Sequence, residues 1–436
     1  MNDGLILGAA GFAITFVLIL LEVPVGVAMG IVGVAGTLWM LGPDATAIMS
    51  ATSVWESVSN YTLTMLPLFV LMGNLAVQSG LSTKLFRSMA VLLGHRRGGL
   101  ALATVGASAG FGMIAGSSLA ATATMSRIAL PEMERAGYPR PLAAGTVAAG
   151  GTLGILIPPS SILVIYAFLA EQSIRKLMLA TAGPVLLAIT LYALAVWLPL
   201  VFNKSGFSGI CRERANGPER RRAVIDMLPA LLVFTIIMGG LYTGIFTANE
   251  TAAMGAAVML GYGVCSRNLS LHGFVTAALD TALTCGALYL VLIAANLFNG
   301  FLALTGLPFA LTDMFGGVMD SPMMVILVMT VIYFVLGMLM DEMAMLLLTI
   351  PLFVPICLMA GIDLIWFGIY AVTIVEIGLI VPPGGMNLFV LKATSPSYKI
   401  AEIWKGVVPF IVADILRLAI IIALPALVLW LPMNSP

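Results

Sequence analysis

Gly154-Ile155-Leu156-Ile157-Pro158-Pro159 and Gly378-Leu379-Ile380-Val381-Pro382-Pro383 are two copies of one phrase, 224 residues apart. Each ends an apolar stretch on consecutive prolines, which lack a backbone donor and clash with the preceding turn, so each predicts a helix that breaks inside a hydrophobic run. The register extends outward. Pro131 matches Pro355 and Gly137 matches Gly361 at the same offset. Phe111-Gly112-Met113 pairs with Leu336-Gly337-Met338, and Gly80-Leu81 with Gly306-Leu307. Apolar composition alone mimics similarity but does not hold a Pro-Pro pair in register. The chain is read as two repeats.

The composition says what solvent the repeats occupy. Of 436 residues, 61% are hydrophobic and 9% charged, with 20 basic and 20 acidic side chains. Soluble domains carry about 25% charged residues, so a water-soluble enzyme is excluded, and so is a disordered chain. A net charge of zero without a dominant basic patch argues against nucleic-acid binding. What remains is an all-α polytopic membrane protein, each span needing about 20 apolar residues. Cys211, Cys265, Cys285 and Cys357 show no metal or redox spacing, and His95 and His272 sit beside loop signals. The 45 glycines and 23 prolines carry more, because transporters break helices with them around binding sites. The first apolar run lacks a basic leader and is read as a retained helix.

Apolar runs place spans near 5–21, 25–42, 59–79, 177–202, 228–246, 249–265, 282–304 and 407–431. Segments 99–130 and 323–360 are each apolar, interrupted by polar residues, then apolar again, and are read as hairpins. No Lys or Arg occurs between Arg267 and Lys392, a run of 124 residues, whereas 84–97, 127–140, 204–222 and 392–405 are basic. The positive-inside rule then puts the N-terminus outside, the first hairpin entering from the cytoplasm and the second from outside. Arg175 and Lys176 are the exceptions. The repeats are thus inverted, as in secondary transporters with midplane sites. The expected division is scaffold helices at 1–98 and 228–320, hairpin with broken helix at 99–175 and 321–405, a last span with cytoplasmic linker at 176–227, and a final span at 406–436.

The polar residues within this frame are the chemical candidates. Gly116-Ser117-Ser118 lies at the first hairpin tip, where glycine lets the chain turn and hydroxyls offer hard oxygen ligands suited to Na⁺. Asp341 occupies the matching place in the second hairpin, beside Glu342. A carboxylate deep in an apolar run is costly and marks a functional position. The breaks free carbonyls for cations and helix N-termini for anions. Gly116, Pro159, Ser160, Ser161, Pro383, Gly385 and Asn387 flank them as candidate substrate contacts. Asn74 and Asn296 lie within spans, where asparagine also serves as glue between helices, and Glu376 precedes the second break.

The block from Gly116-Ser117-Ser118 through Ile128-Ala129-Leu130-Pro131-Glu132-Met133 to Ala148–Ser160 resembles the large membrane subunit of TRAP transporters, the tripartite ATP-independent periplasmic transporters. Gly337-Met338-Leu339-Met340-Asp341 and Ile380–Phe389 are similar to its second-half motifs, and the likeness covers nearly the whole chain. The resemblance implies an elevator-type importer of the ion-transporter superfamily kind, in the bacterial inner membrane and driven by Na⁺. It implies no other cofactor, a small four-helix membrane subunit as a separate chain, and a periplasmic binding protein that delivers substrate. Substrates would be organic acids such as C4-dicarboxylates, sialic acids, keto acids or sugar acids. Carried over, one Na⁺ site falls on Ser117, Ser118 and Gly154, the other on Asp341, Gly378 and Gly384. The sequence departs from the pattern twice. Many relatives hold an arginine in the span corresponding to 282–304, where Asn296 and Asn299 stand here, and Glu342 adds a second acid to the tip. The competing readings are a stand-alone ion-coupled permease of the same architecture, an intramembrane enzyme, which needs a nucleophile–base pair or metal cluster that the spans do not offer, and a non-transporting scaffold, which would not need two polar helix breaks in register.

Overall fold

In the computed structural model, residues 2–202, 214–310 and 321–435 are described. Cys211, Lys204 and Arg212 lie outside them. The described residues are helical throughout, without strands. Eight helices among them are long and apolar enough to cross a membrane, or nine if one bent pair counts as a span.

The first repeat runs through α1 (Asn2–Leu20), α2 (Val25–Ser59), α3 (Met65–Gln78) and α4 (Leu81–Leu93) into a hairpin of α5 (Gly99–Ala115) and α6 (Ser118–Arg135). A broken helix comes next as α7 (Arg140–Leu156) and α8 (Ser161–Leu169), bent by 44° at Ile157–Ser160. Then come α9 (Ile174–Ala180) and α10 (Ala182–Phe202). The second repeat has α11 (Gly217–Thr243), α12 (Ala248–Cys265), α13 (Leu271–Thr305), a hairpin of α14 (Pro322–Gly337) and α15 (Glu342–Met359), a broken helix α16 (Leu364–Gly378) and α17 (Met386–Thr394), α18 (Ile400–Ala423) and α19 (Ala426–Asn434).

The apolar runs predict most of these elements, and the differences have local causes. The span expected at 25–42 continues to Ser59, because the chain kinks at Gly42 (φ 81°, ψ 176°) and Pro43 then starts a new helical stretch, where proline is tolerated. The span expected at 407–431 is divided at Leu424, just before Pro425. His272, expected beside a loop, lies in the first turn of α13.

The repeats are visible in the backbone. Gly137 and Gly361 end α6 and α15 with φ of 74° and 68°, the left-handed conformation glycine adopts without penalty. In each repeat the first hairpin arm crosses the first half of the broken helix glycine on glycine. A Cβ on Gly112 would collide with Gly154 Cα, and one on Gly378 would lie 2.8 Å from Gly337 Cα. Small residues let membrane helices approach this closely and gain dispersion contact that lipid cannot supply.

The helices pack in an order that the chain alone does not give, with α4 joining the first hairpin through α5. The 35-residue helices α2 and α13 lie against each other, α3 packs on α12 and α13, and α11 on α4 and α12. The hairpins and broken helices pack with α10 and α18, and α18 runs along α7 so closely that Gly145 meets the backbone of Gly406. Here the repeats interlock. The second half of each broken helix packs on the opposite hairpin: α17 on α6, and α8 on α15. This exchange brings both tips and both breaks into one region.

Candidate functional site

The tips are built alike. Ser117 is the N-cap of α6, its Oγ accepting from Ala120 N at 3.4 Å. Asp341, 224 residues on, is the N-cap of α15, its Oδ1 accepting from Ala344 N at 2.8 Å. Ser, Asp and Asn are preferred here because their oxygens satisfy orphan amides of the first turn. Gly116 ends α5 in the left-handed conformation and its carbonyl accepts from Ser161 Oγ at 3.2 Å, joining the first tip to the far side of the first break. Ser160 caps α8 through Leu163 N. Gly385 holds the matching place before α17.

Ser118 is fully buried, and its partner comes from the other repeat. Asn387 Nδ2 donates to Ser118 Oγ at 2.7 Å and to Ala148 O at 3.1 Å. One asparagine thereby ties α17 to α6 and α7. The tips and breaks face α3 and α13 across a cavity of about 320 Å³. From the hairpin side it is lined by Gly116, Ser117, Asp341 and Glu342, and from the breaks by Pro159, Ser161 and Leu379. Gly73, Asn74 and Thr284 line the opposite wall. Asp341 also faces a neighbouring cavity, shared with Gly384.

The candidate residues therefore fall into four groups. Gly116, Ser117, Pro159, Ser161 and Asp341 border the common cavity, as does Glu342. Ser118, Ser160 and Asn387 are fully buried beside it. Gly154 and Gly378 form the helix crossings, and Gly384 packs on the backbone of Met338. Pro383 and Gly385 belong to the second break itself. The donors at the tips are hydroxyl, carboxylate and carbonyl oxygens, the set a hard monovalent cation takes. Among the described residues there is no group of three or more His, Cys, Asp or Glu side chains placed to hold a metal ion together.

Asn74 and Asn296 act as ties. Asn74 donates to Thr281 Oγ1 at 3.0 Å and Asn296 to Ser57 Oγ at 2.9 Å. Asn296 and Asn299 border a separate, wider cavity of about 880 Å³ with Glu56 and Gln172. Arg175, the exception to the charge pattern, donates to Leu241 O and Tyr242 O at 2.8 and 3.0 Å and so satisfies the C-terminal carbonyls of α11.

A cluster of which sequence reading names only Glu376 lies one turn from both breaks. Arg417 contacts Glu376 at 2.5 Å and Asp414 at 3.1 Å, all three side chains fully buried. Tyr192 OH donates to Asp414 Oδ2 at 2.7 Å. The signal available is Asp414 and Arg417 three apart within an apolar span, a spacing that puts both on one helix face.

The fold matches the solved Alcanivorax borkumensis YdaH transporter with a TM-score of 0.64 over 91% of both chains, at 16% identity, which speaks for the fold alone. The sequence model of the family described as "Tripartite ATP-independent periplasmic transporter, DctM component" matches residues 12–427. The chain belongs to that family and is a multi-pass inner-membrane protein, a TRAP transporter large permease. It is 33% identical to the C4-dicarboxylate TRAP transporter large permease protein DctM of Pseudomonas aeruginosa, over 92% of this chain and 93% of the relative. Its identity to the sialic acid TRAP transporter large permease protein SiaM of Vibrio cholerae is 31%, over 94% of each. For the 2,3-diketo-L-gulonate TRAP transporter large permease protein YiaN of Escherichia coli it is 28%, over 94% and 95%.

Proposed function

We propose that this permease imports an organic acid in symport with Na⁺, taking the acid from a periplasmic binding protein and working with a small membrane subunit. The observation that carries the reading is the convergence of both hairpin tips and the first break on one cavity of about 320 Å³, with Ser117 and Asp341 at its edge. Hydroxyl, carboxylate and break carbonyls would hold Na⁺, Ser117, Ser118 and Gly154 at one site and Asp341, Gly378 and Gly384 at the other. The acid would sit between the tips and the wall of Asn74 and Thr284. Carboxylates and hydroxyls occur in the relatives' substrates, C4-dicarboxylate, sialic acid and diketogulonate. The hairpins and broken helices at 99–175 and 321–405 would travel as the moving part against 1–98 and 228–320.

The test is uptake of labelled organic acids into proteoliposomes holding this chain and its small subunit, with and without a Na⁺ gradient and the binding protein. Uptake that requires both supports the reading. Uptake that ignores Na⁺ overturns the coupling, and uptake without the binding protein makes the chain a stand-alone permease.

A further inference from the structure

Glu376, Asp414 and Arg417 close a ring. Thr152 Oγ1 on α7 lies 3.2 Å from Tyr192 OH on α10. Tyr192 donates to Asp414 on α18, Asp414 meets Arg417, and Arg417 meets Glu376 on α16. The helix that carries Glu376, α16, packs in turn on α7. The ring leaves α7 at Thr152, two residues before Gly154. Glu376 stands two residues before Gly378. Thr152 and Glu376 are themselves repeat mates, 224 residues apart, so the ring straddles the relation between the two halves.

Packing alone does not account for it. Taking a guanidinium and two carboxylates out of water costs several kcal/mol per ion, and apolar replacements of a buried triad are often neutral or stabilising. The ring is also incompletely satisfied, since Glu376 Oε1, Arg417 Nε and Arg417 Nη1 are buried with no hydrogen-bond partner among the described residues. Such a group is costly at membrane depth. The attested return is registry, one discrete arrangement selected over its neighbours. Here the register being fixed is that of two helix ends whose carbonyls bracket the breaks.

We propose that Glu376, Asp414 and Arg417 are positioning residues for cation binding, holding the carbonyls around Gly154 and Gly378 in the geometry that takes Na⁺. The inference rests on the Na⁺-coupled reading above. The three residues act through α7 and α16 and touch neither ion nor substrate. Their effect is that of outer-shell partners, whose loss typically lowers metal affinity about 10- to 100-fold.

The test is the melting temperature of the purified full-length chain, titrated with NaCl against choline chloride at constant ionic strength. A ligand that binds the folded state stabilises it by RT ln(1 + L/Kd) at free concentration L, so the titration returns the half-saturating concentration of Na⁺, its midpoint. The informative variant replaces the ring by apolar groups: Tyr192→Phe, Glu376→Met, Asp414→Leu and Arg417→Met together. The expected result is a melting temperature without Na⁺ at or above native, with the Na⁺ midpoint raised about tenfold or more. A midpoint within about twofold of native overturns the proposal, being well short of the loss an outer-shell partner brings. If the fourfold variant does not fold, Arg417→Lys is read by the same criterion, since lysine keeps the charge but loses the fork that spans both carboxylates. A native chain whose melting temperature does not respond to Na⁺ overturns the coupling reading, and this inference falls with it.

Discussion

Ser117 and Asp341 cap the second arms of the two hairpins from the same register, one with a hydroxyl and the other with a carboxylate. The same local task is done by a neutral oxygen in one repeat and a charged one in the other. Asn caps a helix about as well as Asp. Asp341→Asn is therefore expected to leave insertion and thermal stability within about 0.5 kcal/mol of native. Removing the charge facing the cavity is expected to lower Na⁺-driven uptake by about 100-fold or more, at least the upper end of the loss that an outer-shell partner brings. Paired melting and uptake measurements check this, and native uptake by the variant would remove Asp341 from the cation site.

The glycine crossings predict a contrast between positions of one residue type. Gly112→Ala drives a methyl into Gly154 Cα, against backbone that cannot move aside as a side chain would. Overpacking of this kind costs about 1–3 kcal/mol. Gly361→Ala meets no described atom within 4 Å and bears only the strain of its φ of 68°, about 1 kcal/mol. Melting temperatures should rank Gly112→Ala below Gly361→Ala, and the reverse order would mean that the crossing is loose.

Asn387 joins both repeats through Ser118 and Ala148. Asn387→Ala is expected to cost about 1–3 kcal/mol, because buried partners lose their bonds. Adding Ser118→Ala should cost less than the two single effects together, since one orphan is then removed. A double-mutant cycle on melting measures the coupling, expected at about 1 kcal/mol; additive losses would mean that the hydrogen bond contributes nothing.

Arg175→Met should lower stability by about 1–2 kcal/mol, through loss of a charged donor to the end of α11. Membrane orientation should be unchanged, because the guanidinium is engaged with carbonyls and acts as a cap. Cysteine-accessibility mapping of the 170–173 loop checks orientation, and an inverted topology in the variant would show Arg175 to be a determinant.

Much of this architecture is legible in the sequence because it depends on near-neighbour chemistry. Pro158-Pro159 and Pro382-Pro383 break helices wherever they stand, and Ser117 and Asp341 cap the second hairpin arms. The constant offset between such local signals exposes the repeat. The features that escape such a reading depend on helix rotation and on which helices meet. Glu376, Asp414 and Arg417 sit in two apolar runs about 40 residues apart, and only the packing of α16 on α18 makes them a cluster. Asn387, expected to face substrate, is drawn inward by Ser118, a partner whose pairing depends on the exchange of broken-helix halves. The helix crossing at Gly154 and Gly378 is equally hidden, since a residue singled out for its carbonyl also serves by lacking a side chain.

That exchange sets the order in which the molecule can mature. Ser118 leaves the ribosome 269 residues ahead of Asn387. Until then α6 has no α17 beside it, and the first hairpin must wait in the bilayer with its buried hydroxyl untied. Neither repeat can finish alone, so the newborn first half is an incomplete object that the membrane itself has to chaperone.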